Sequence, residues 1–106
     1  MATEIMMVLT TYADPETGKR LTAGLLEQHL AACVQTLPIQ STYRWKGAIQ
    51  HEPETLMLIK TQASLYPRVE AFIREIHDYE VPEIVMMPIS AGLPEYLSWI
   101  REETVS

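Results

Sequence analysis

The alternation of apolar and polar residues is most regular between residues 41 and 61, where it predicts a long β-hairpin. Tyr43 and Trp45 alternate with basic residues, Gly47 offers a turn, and the alternation resumes beyond it. An isolated hairpin is marginal in water, so the face that carries the two aromatic rings needs a cover. Either the core of the same monomer or another subunit can supply that cover, and the pattern leaves both open.

The start of the chain predicts a central strand followed by a helix. Residues 5–9 are apolar on both strand faces, which is typical of a strand covered on both sides. Asp14 and Pro15 form a helix start, in which the carboxylate caps free amide groups. Gly18 and Gly24 lie within that helix, and each is expected to weaken it by about 1 kcal/mol relative to alanine.

The rest of the chain predicts further strands, a well-defined second helix and a short third one. Pro38 is expected to interrupt the strand before the hairpin, and Pro53 to open a loop in the return strand. Ser64 is placed to cap a helix, residues 83–89 are typical of a last strand, and Pro94 begins a C-terminal helix. The second helix is indicated by an apolar stripe at helical spacing, formed by Leu65, Val69, Phe72, Ile73 and Ile76.

The order of these elements indicates the fold class. The order is strand, helix, strand, strand, helix, strand. It predicts a ferredoxin-like βαββαβ sandwich of the α+β class, in which two helices cover one face of an antiparallel sheet. A short C-terminal helix follows it. The chain has 106 residues, enough for one modest core, so we expect residues 1–106 to form a single domain.

Composition and charge exclude several classes of function. A net charge of −6 with only eight Lys and Arg argues against binding to nucleic acid. Cys33 is the only cysteine, so no disulfide can form within one chain, which fits a reducing compartment. The sequence shows no leader pattern and no apolar run near the roughly 18 residues that a membrane span needs. We therefore expect a cytoplasmic protein with no membrane partner.

The densest polar constellation combines His77 with Glu80 and Glu83. Imidazole and carboxylates bind divalent cations, and a metal site needs about three such groups. In an extended segment the two glutamates would lie about 10 Å apart on opposite faces, so at most one of them joins His77. The alternative is that His77 interacts with the helix C-terminus while the acids are solvated or paired. No nucleotide-binding or hydrolase motif occurs, so we expect no catalytic residue and no organic cofactor.

Five motifs become informative together because of their order and separation. They read L-A-A-C-V, S-T-Y-R-W-K-G-A-I-Q, L-M-L-I-K-T, H-D-Y-E-V-P-E-I and A-G-L-P-E-Y-L-S-W-I. In this order they resemble the CutA family of divalent-cation-tolerance proteins. The resemblance extends over nearly the whole chain, from about residue 5 to residue 101.

The resemblance implies a homotrimer, similar in architecture to the P-II signalling proteins, with strands pairing between subunits. Another subunit would then cover the aromatic face of the hairpin. The candidate interface residues are Tyr43, Trp45 and Trp99. By the same resemblance, three more residues lie near the clefts between subunits, and these are Lys60, Tyr79 and Glu80.

The resemblance also implies links to copper binding and copper tolerance, with His77 and Glu83 as the candidate metal ligands. Some members carry a first-strand cysteine associated with copper, whereas this sequence has Thr10. The residue before His77 is Ile76 rather than a second histidine. Copper(I) would therefore lack its preferred thiolate, while copper(II) could still use imidazole and carboxylate.

These observations lead to one function hypothesis and two alternatives. The first is a cytoplasmic trimeric protein that binds copper or another divalent cation near the subunit clefts and takes part in metal tolerance. The second is a P-II-like signalling or scaffold trimer without specific metal binding. The third is an acylphosphatase-like hydrolase on the same fold, although Asp14 and Glu16 would repel a phosphate after the first strand.

Overall fold

The structure, a computed structural model, describes residues 4–104. Residues 1–3, part of the stretch in which no leader pattern was found, lie outside the described residues. The elements in chain order are β1 (Ile5–Tyr12), α1 (Pro15–Glu27), β2 (Cys33–Trp45), β3 (Ala48–Gln62), a 3₁₀ turn (Ala63–Leu65), α2 (Tyr66–Ile76), β4 (Ile84–Pro88) and α3 (Pro94–Glu103). The four strands pair antiparallel in the order β2-β3-β1-β4, so the predicted βαββαβ fold with a C-terminal helix is confirmed.

The predicted hairpin is present and is longer than the segment that indicated it. Strands β2 and β3 pair without a break from Cys33 opposite Lys60 to Trp45 opposite Ala48. The turn between them consists of Lys46 and Gly47, with φ angles of 49° and 84°. Positive φ at both central residues is the requirement of a type I′ turn, which matches the twist of the flanking strands.

The interruptions expected at two prolines were wrong. Pro38 lies opposite Thr55 within β2, and Pro53 lies opposite Gln40 within β3. Strand β2 is at the edge of the sheet, and β3 has no second neighbour beyond Thr55 because β1 ends opposite that residue. A proline whose nitrogen faces such a free edge removes no hydrogen bond from the ladder, so both strands continue.

Helices α1 and α2 cover one face of the sheet and form the core with it. The buried residues of this core are Val8, Tyr12, Leu21, Leu25, Leu30, Ala31, Met57, Ile59, Leu65, Val69 and Ile73. Asp14 Oδ1 caps α1 by accepting from the Glu16 amide at 3.0 Å, as predicted. The cap predicted at Ser64 was wrong, because a 3₁₀ turn precedes α2 and no side chain caps that helix. None of the helices within residues 4–104 is long and apolar enough to cross a membrane.

The other face of the sheet, called the open face below, is only partly covered. By strand alternation its apolar residues include Met7, Leu9, Leu37, Leu56, Leu58, Val85 and Met87. Helix α3 lies over one end of this face, where Ile100 is fully buried and the Gln62 side-chain amide donates to the Thr104 carbonyl at 2.6 Å. Of residues 5–9, which were expected to be covered on both sides, Ile5 is buried on this face, whereas Met7 and Leu9 are only partly buried.

Candidate functional site

A groove of about 920 Å³ lies at the hairpin end of the open face. Its walls come from the outer halves of β2 and β3 and from the loop between α2 and β4. The lining includes three aromatic residues, Tyr43, Trp45 and Tyr79, and five carboxylates, Glu52, Glu54, Asp78, Glu80 and Glu83. The residues that line it include no lysine and no arginine. We call this feature the acidic groove.

His77, at the C-terminal end of α2, is buried beneath the groove. Its Nε2 lies 2.7 Å from the Thr11 carbonyl oxygen, which can only accept, so Nε2 carries the proton. Its Nδ1 accepts from the Tyr79 amide at 3.1 Å, a shorter contact than the 3.4 Å to Asp78 Oδ1. Both ring nitrogens are therefore engaged within the chain, and metal binding by His77 would require one of these bonds to break.

Tyr79 connects the loop after α2 to β3. Its hydroxyl donates to Glu54 Oε2 at 2.6 Å, and its ring lies 4.6 Å from the imidazole of His77. Burial, then the hydrogen bond to Glu54, raises the pKa of Tyr79 well above its usual value. Tyr79 is therefore a neutral donor that holds a buried carboxylate in place at the floor of the groove.

The remaining groove candidates lie near the rim. Glu80 is exposed and pairs with Lys46 Nζ at 3.9 Å, a contact between the loop and the hairpin tip. Glu83 is exposed on the same loop, just before β4 begins. The Lys46 ammonium also lies 5.6 Å from the ring centre of Trp45. The structure thus gathers six of the predicted site residues around one groove, namely Tyr43, Trp45, His77, Tyr79, Glu80 and Glu83.

Lys60 lies at the opposite end of the open face. It is six residues from Glu54 along β3, which corresponds to about 20 Å. Its ammonium donates to Gln35 Oε1 at 3.0 Å and to the Tyr96 hydroxyl at 3.3 Å. Trp99 stacks beside Tyr96 with ring centres 5.7 Å apart. We call this group, Lys60 with Gln35, Tyr96 and Trp99, the lysine end.

Two groove residues were missed by the sequence analysis. Glu52 and Glu54 fell in the loop wrongly expected at Pro53, so neither was considered as part of a site. The signal that could have found them is alternation, because Gln50, Glu52 and Glu54 continue the same strand face. Glu54 is only 9% exposed, which is unusual for a carboxylate. Its hydrogen bond from the Tyr79 hydroxyl accounts for this burial.

The side chains available to a metal ion are carboxylates rather than soft ligands. Within residues 4–104 no three side chains of His, Cys, Asp or Glu converge to form a metal-binding group. Thr10 is fully buried on the helix-covered face, whereas its neighbour Thr11 lines the groove. A metal-binding side chain at position 10, where some family members carry a cysteine, would therefore point away from the acidic groove. One chain offers oxygen donors without a complete coordination set.

Residues 6–103 match the family model described as CutA1 divalent ion tolerance protein. The chain belongs to the CutA1 family. That family model spans all five motifs on which the resemblance rested, so the predicted family is confirmed. The description of that family refers to tolerance of divalent ions and names no particular metal.

Individual members of the CutA1 family agree with this assignment. The divalent-cation tolerance protein CutA of Thermus thermophilus is 40% identical over 99 residues, 92% of this chain and 96% of that protein. Mouse protein CutA is 40% identical over 103 residues, 96% of this chain but 58% of the mouse protein, so the chain spans little more than half of that relative. The structure described as periplasmic divalent cation tolerance protein CutA from Archaeoglobus fulgidus superposes with a TM-score of 0.92 at 35% identity, covering 95% of this chain and 99% of that one.

Proposed function

We propose that this CutA1 protein is a trimer that binds a divalent cation, copper or another, in the acidic groove and thereby contributes to metal tolerance. The observation that carries the proposal is the lining of the groove, five carboxylates with no lysine or arginine among them. Carboxylate oxygens are ligands for divalent cations, and a cleft lined by one sign of charge concentrates ions of the other.

The hydrogen bonds suggest different roles for the two predicted metal ligands. Glu83 is exposed in the groove and free to turn towards an ion. His77 is buried with both nitrogens engaged, so we propose that it fixes the Tyr79 segment and that carboxylates bind the ion. This donor set suits copper(II) better than copper(I), which prefers thiolate ligands.

The uncovered part of the open face supports the trimer. Leu37, Val85 and Met87 on this face are 42%, 45% and 47% exposed. Contiguous exposed apolar surface of this kind is typical of protein interfaces rather than of a monomer surface. We propose that neighbouring subunits cover it together with the aromatic face of the hairpin. An assembly would also supply the cation ligands that one chain lacks.

The experiment is native mass spectrometry of tag-free protein, alone and during copper(II) titration. We expect a trimer that takes up one ion per chain, and weaker uptake in Glu83→Gln. Glu103→Gln is the matched control, because that glutamate is exposed at the end of α3, outside the groove. Loss of uptake in His77→Asn with the trimer intact would make His77 a ligand instead. A trimer without specific uptake would favour the P-II-like signalling or scaffold alternative, and a monomer would contradict the proposal.

We also propose a cytoplasmic, non-enzymatic role. The lone Cys33 cannot form a disulfide within the chain, which suits a reducing compartment. Because the Archaeoglobus relative is described as periplasmic, fractionation of native cells is the deciding measurement. The hydrolase alternative gains no support, since the first free amide of α1 is already bound by the carboxylate of Asp14. Turnover of an acyl phosphate would contradict this part of the proposal.

A further inference from the structure

A second pocket, of about 510 Å³, lies on the helix-covered side of the sheet, between α1 and the hairpin. One wall is a stripe along α1 that includes Gly18, Lys19 and Thr22. The sheet forms the other wall with one residue from each of β1, β2 and β3, namely Tyr12, Thr36 and Thr55. Sites for small ligands have volumes of about 300 to 1,000 Å³, so this pocket has room for a small organic molecule. We call this feature the helix-side pocket.

Tyr12, at the end of β1, brings to the helix-side pocket a hydroxyl group that the chain itself does not bind. The residue is only 8% exposed, yet its hydroxyl has no hydrogen-bond partner within residues 4–104. The hydroxyl oxygen lies 2.5 Å from the place that a Cβ on Gly18 would occupy, so it lies against α1 where that helix has no side chain. A hydroxyl that is mostly removed from water costs free energy unless it is bonded. A molecule bound in the pocket is placed to supply the missing partner.

The charge of the helix-side pocket is opposite to that of the acidic groove. Lys19 is the one charged residue among the described residues that line it, and it forms no salt bridge within that part of the chain. The threonines of the two walls add further hydroxyl groups. An ammonium group only donates hydrogen bonds, and a hydroxyl donates as well as accepts. The pocket therefore offers several donors, and no carboxylate of the described lining would repel an anion.

The size of the charge and the rest of the lining narrow the class of anion. Pro15 and Ala23 give the pocket an apolar part, which suits a short carbon chain or ring. One ammonium matches the single charge of a carboxylate better than the charge of about −2 of a phosphate ester. The whole chain has a net charge of −6, so the attraction must come from these local groups and not from the overall field.

We propose that the helix-side pocket binds a small organic carboxylate, whose oxygens accept from the Lys19 ammonium and the Tyr12 hydroxyl while its carbon chain lies against the apolar part of the wall. The inference goes beyond the proposed function, since the site is built from one chain and needs neither a metal ion nor a trimer. It also gives Gly18 a role, because the glycine that weakens α1 leaves room for the hydroxyl that binds the ligand.

Titrations followed by amide NMR of ¹⁵N-labelled, tag-free protein test the proposal, with EDTA present to remove metal ions. The probes are two matched pairs, lactate with propylene glycol and benzoate with benzyl alcohol, in which only the carboxylate of each pair is charged. Sodium chloride keeps the ionic strength constant. We expect at least one carboxylate to cause saturable shifts at the amides of Gly18, Lys19 and Thr55, and its neutral counterpart to cause none.

Two variants test the assigned donors. We expect Lys19→Gln and Tyr12→Phe each to weaken carboxylate binding by about fivefold or more, the effect of one lost hydrogen bond to a charged group. Tyr12→Phe keeps the ring and removes a hydroxyl without a partner among the described residues, so the fold should be retained. Arg20→Gln is the matched control, because it removes the same charge from an exposed residue of α1 that does not line the pocket. Its affinity should equal that of the wild type.

The outcomes are separate from those of the proposed function. No saturable shift with either carboxylate, or equal binding of the neutral counterparts, would overturn the inference. Inorganic phosphate that binds where the carboxylates do not would also overturn it, since the class of anion would then be wrong. Unchanged affinity in both Lys19→Gln and Tyr12→Phe would show that the carboxylate binds elsewhere. A failure of copper uptake or of trimer formation would leave the helix-side pocket and its ligand standing.

Discussion

The hydroxyl of Tyr79 donates a 2.6 Å hydrogen bond to Glu54 Oε2 and so joins the loop after α2 to the middle of β3. The loop is fixed a second time two residues earlier, where His77 bonds the Thr11 carbonyl of β1. Three elements that are distant in sequence therefore form one rigid wall of the acidic groove. The shape of the groove depends on this pair more than on the exposed acids at its rim.

The Tyr79 to Glu54 bond predicts a loss of stability at alkaline pH. The pKa of Tyr79 is raised in the folded protein, so its contribution is fully present below the unfolded pKa of about 10 and is lost as pH rises beyond it. We expect the free energy of unfolding in urea to fall between pH 9 and pH 11. Tyr79→Phe should cost about 1 kcal/mol at pH 8 and show a shallower fall. An equally steep fall in the variant would contradict this assignment.

For Gly24→Ala, the structure predicts a change in stability opposite to the one that helix propensity predicts. Alanine favours a helix by about 1 kcal/mol over glycine, so Gly24→Ala should stabilise α1 considered alone. In the structure, however, a Cβ on Gly24 would overlap the ring of Phe72 on α2. We expect Gly24→Ala to destabilise the protein by about 1 to 3 kcal/mol in urea denaturation.

Phe72→Leu supplies the control for this prediction. If the ring is the obstacle, the two substitutions together should cost less than the sum of the single ones. Additive costs would show that the helices α1 and α2 do not meet at Gly24. Gly18 makes a corresponding approach to Tyr12, so both glycines allow a close contact that only glycine permits.

Thr10 and Thr61 are two fully buried threonines that predict opposite responses to valine. Thr10 Oγ1 has no hydrogen-bond partner among the described residues, whereas Thr61 Oγ1 donates to the Leu30 carbonyl at 2.6 Å. Thr10→Val removes an unsatisfied hydroxyl and should be neutral or stabilising by up to about 1 kcal/mol. Thr61→Val should cost about 1 to 3 kcal/mol because it leaves a buried carbonyl unpaired. Equal effects in thermal denaturation would contradict the assigned hydrogen bonds.

Local patterns were enough to predict the fold, because each element carries its own signal. The Lys46-Gly47 turn, the Asp14 cap and the stripe on α2 are all determined by neighbours in sequence. Pro38 and Pro53 were misjudged because the effect of a proline depends on whether its strand edge is free, which is a property of the sheet. That property follows from where β1 ends, and no local window contains it.

The acidic part of the candidate site was predicted only where its residues are close in sequence. The segment from His77 to Glu83 was found as one polar constellation, and it does line or support the groove. Glu52 and Glu54 were missed because the hairpin brings them to that segment from about 25 residues away, as in the Tyr79 to Glu54 pair. The resemblance implied that Lys60, Tyr79 and Glu80 lie near the clefts between subunits, and within one chain Lys60 is about 20 Å along β3 from Glu54, the partner of Tyr79.

Trp45 tests the proposed trimer, because its ring is 39% exposed in the single chain. If a neighbouring subunit covers it, Trp45→Ala should cost about 3 to 5 kcal/mol across the interface, as truncation of packed aromatics does. We expect the trimer of this variant to dissociate at a protein concentration at least a hundredfold higher, measured by light scattering on dilution. Arg44→Ala is the matched control, since Arg44 lies at the same hairpin end with its side chain on the opposite strand face. Identical dilution behaviour of wild type and Trp45→Ala would mean that the aromatic rings at the hairpin end of the open face stay exposed, and the apolar remainder of that face would then have to form the interface.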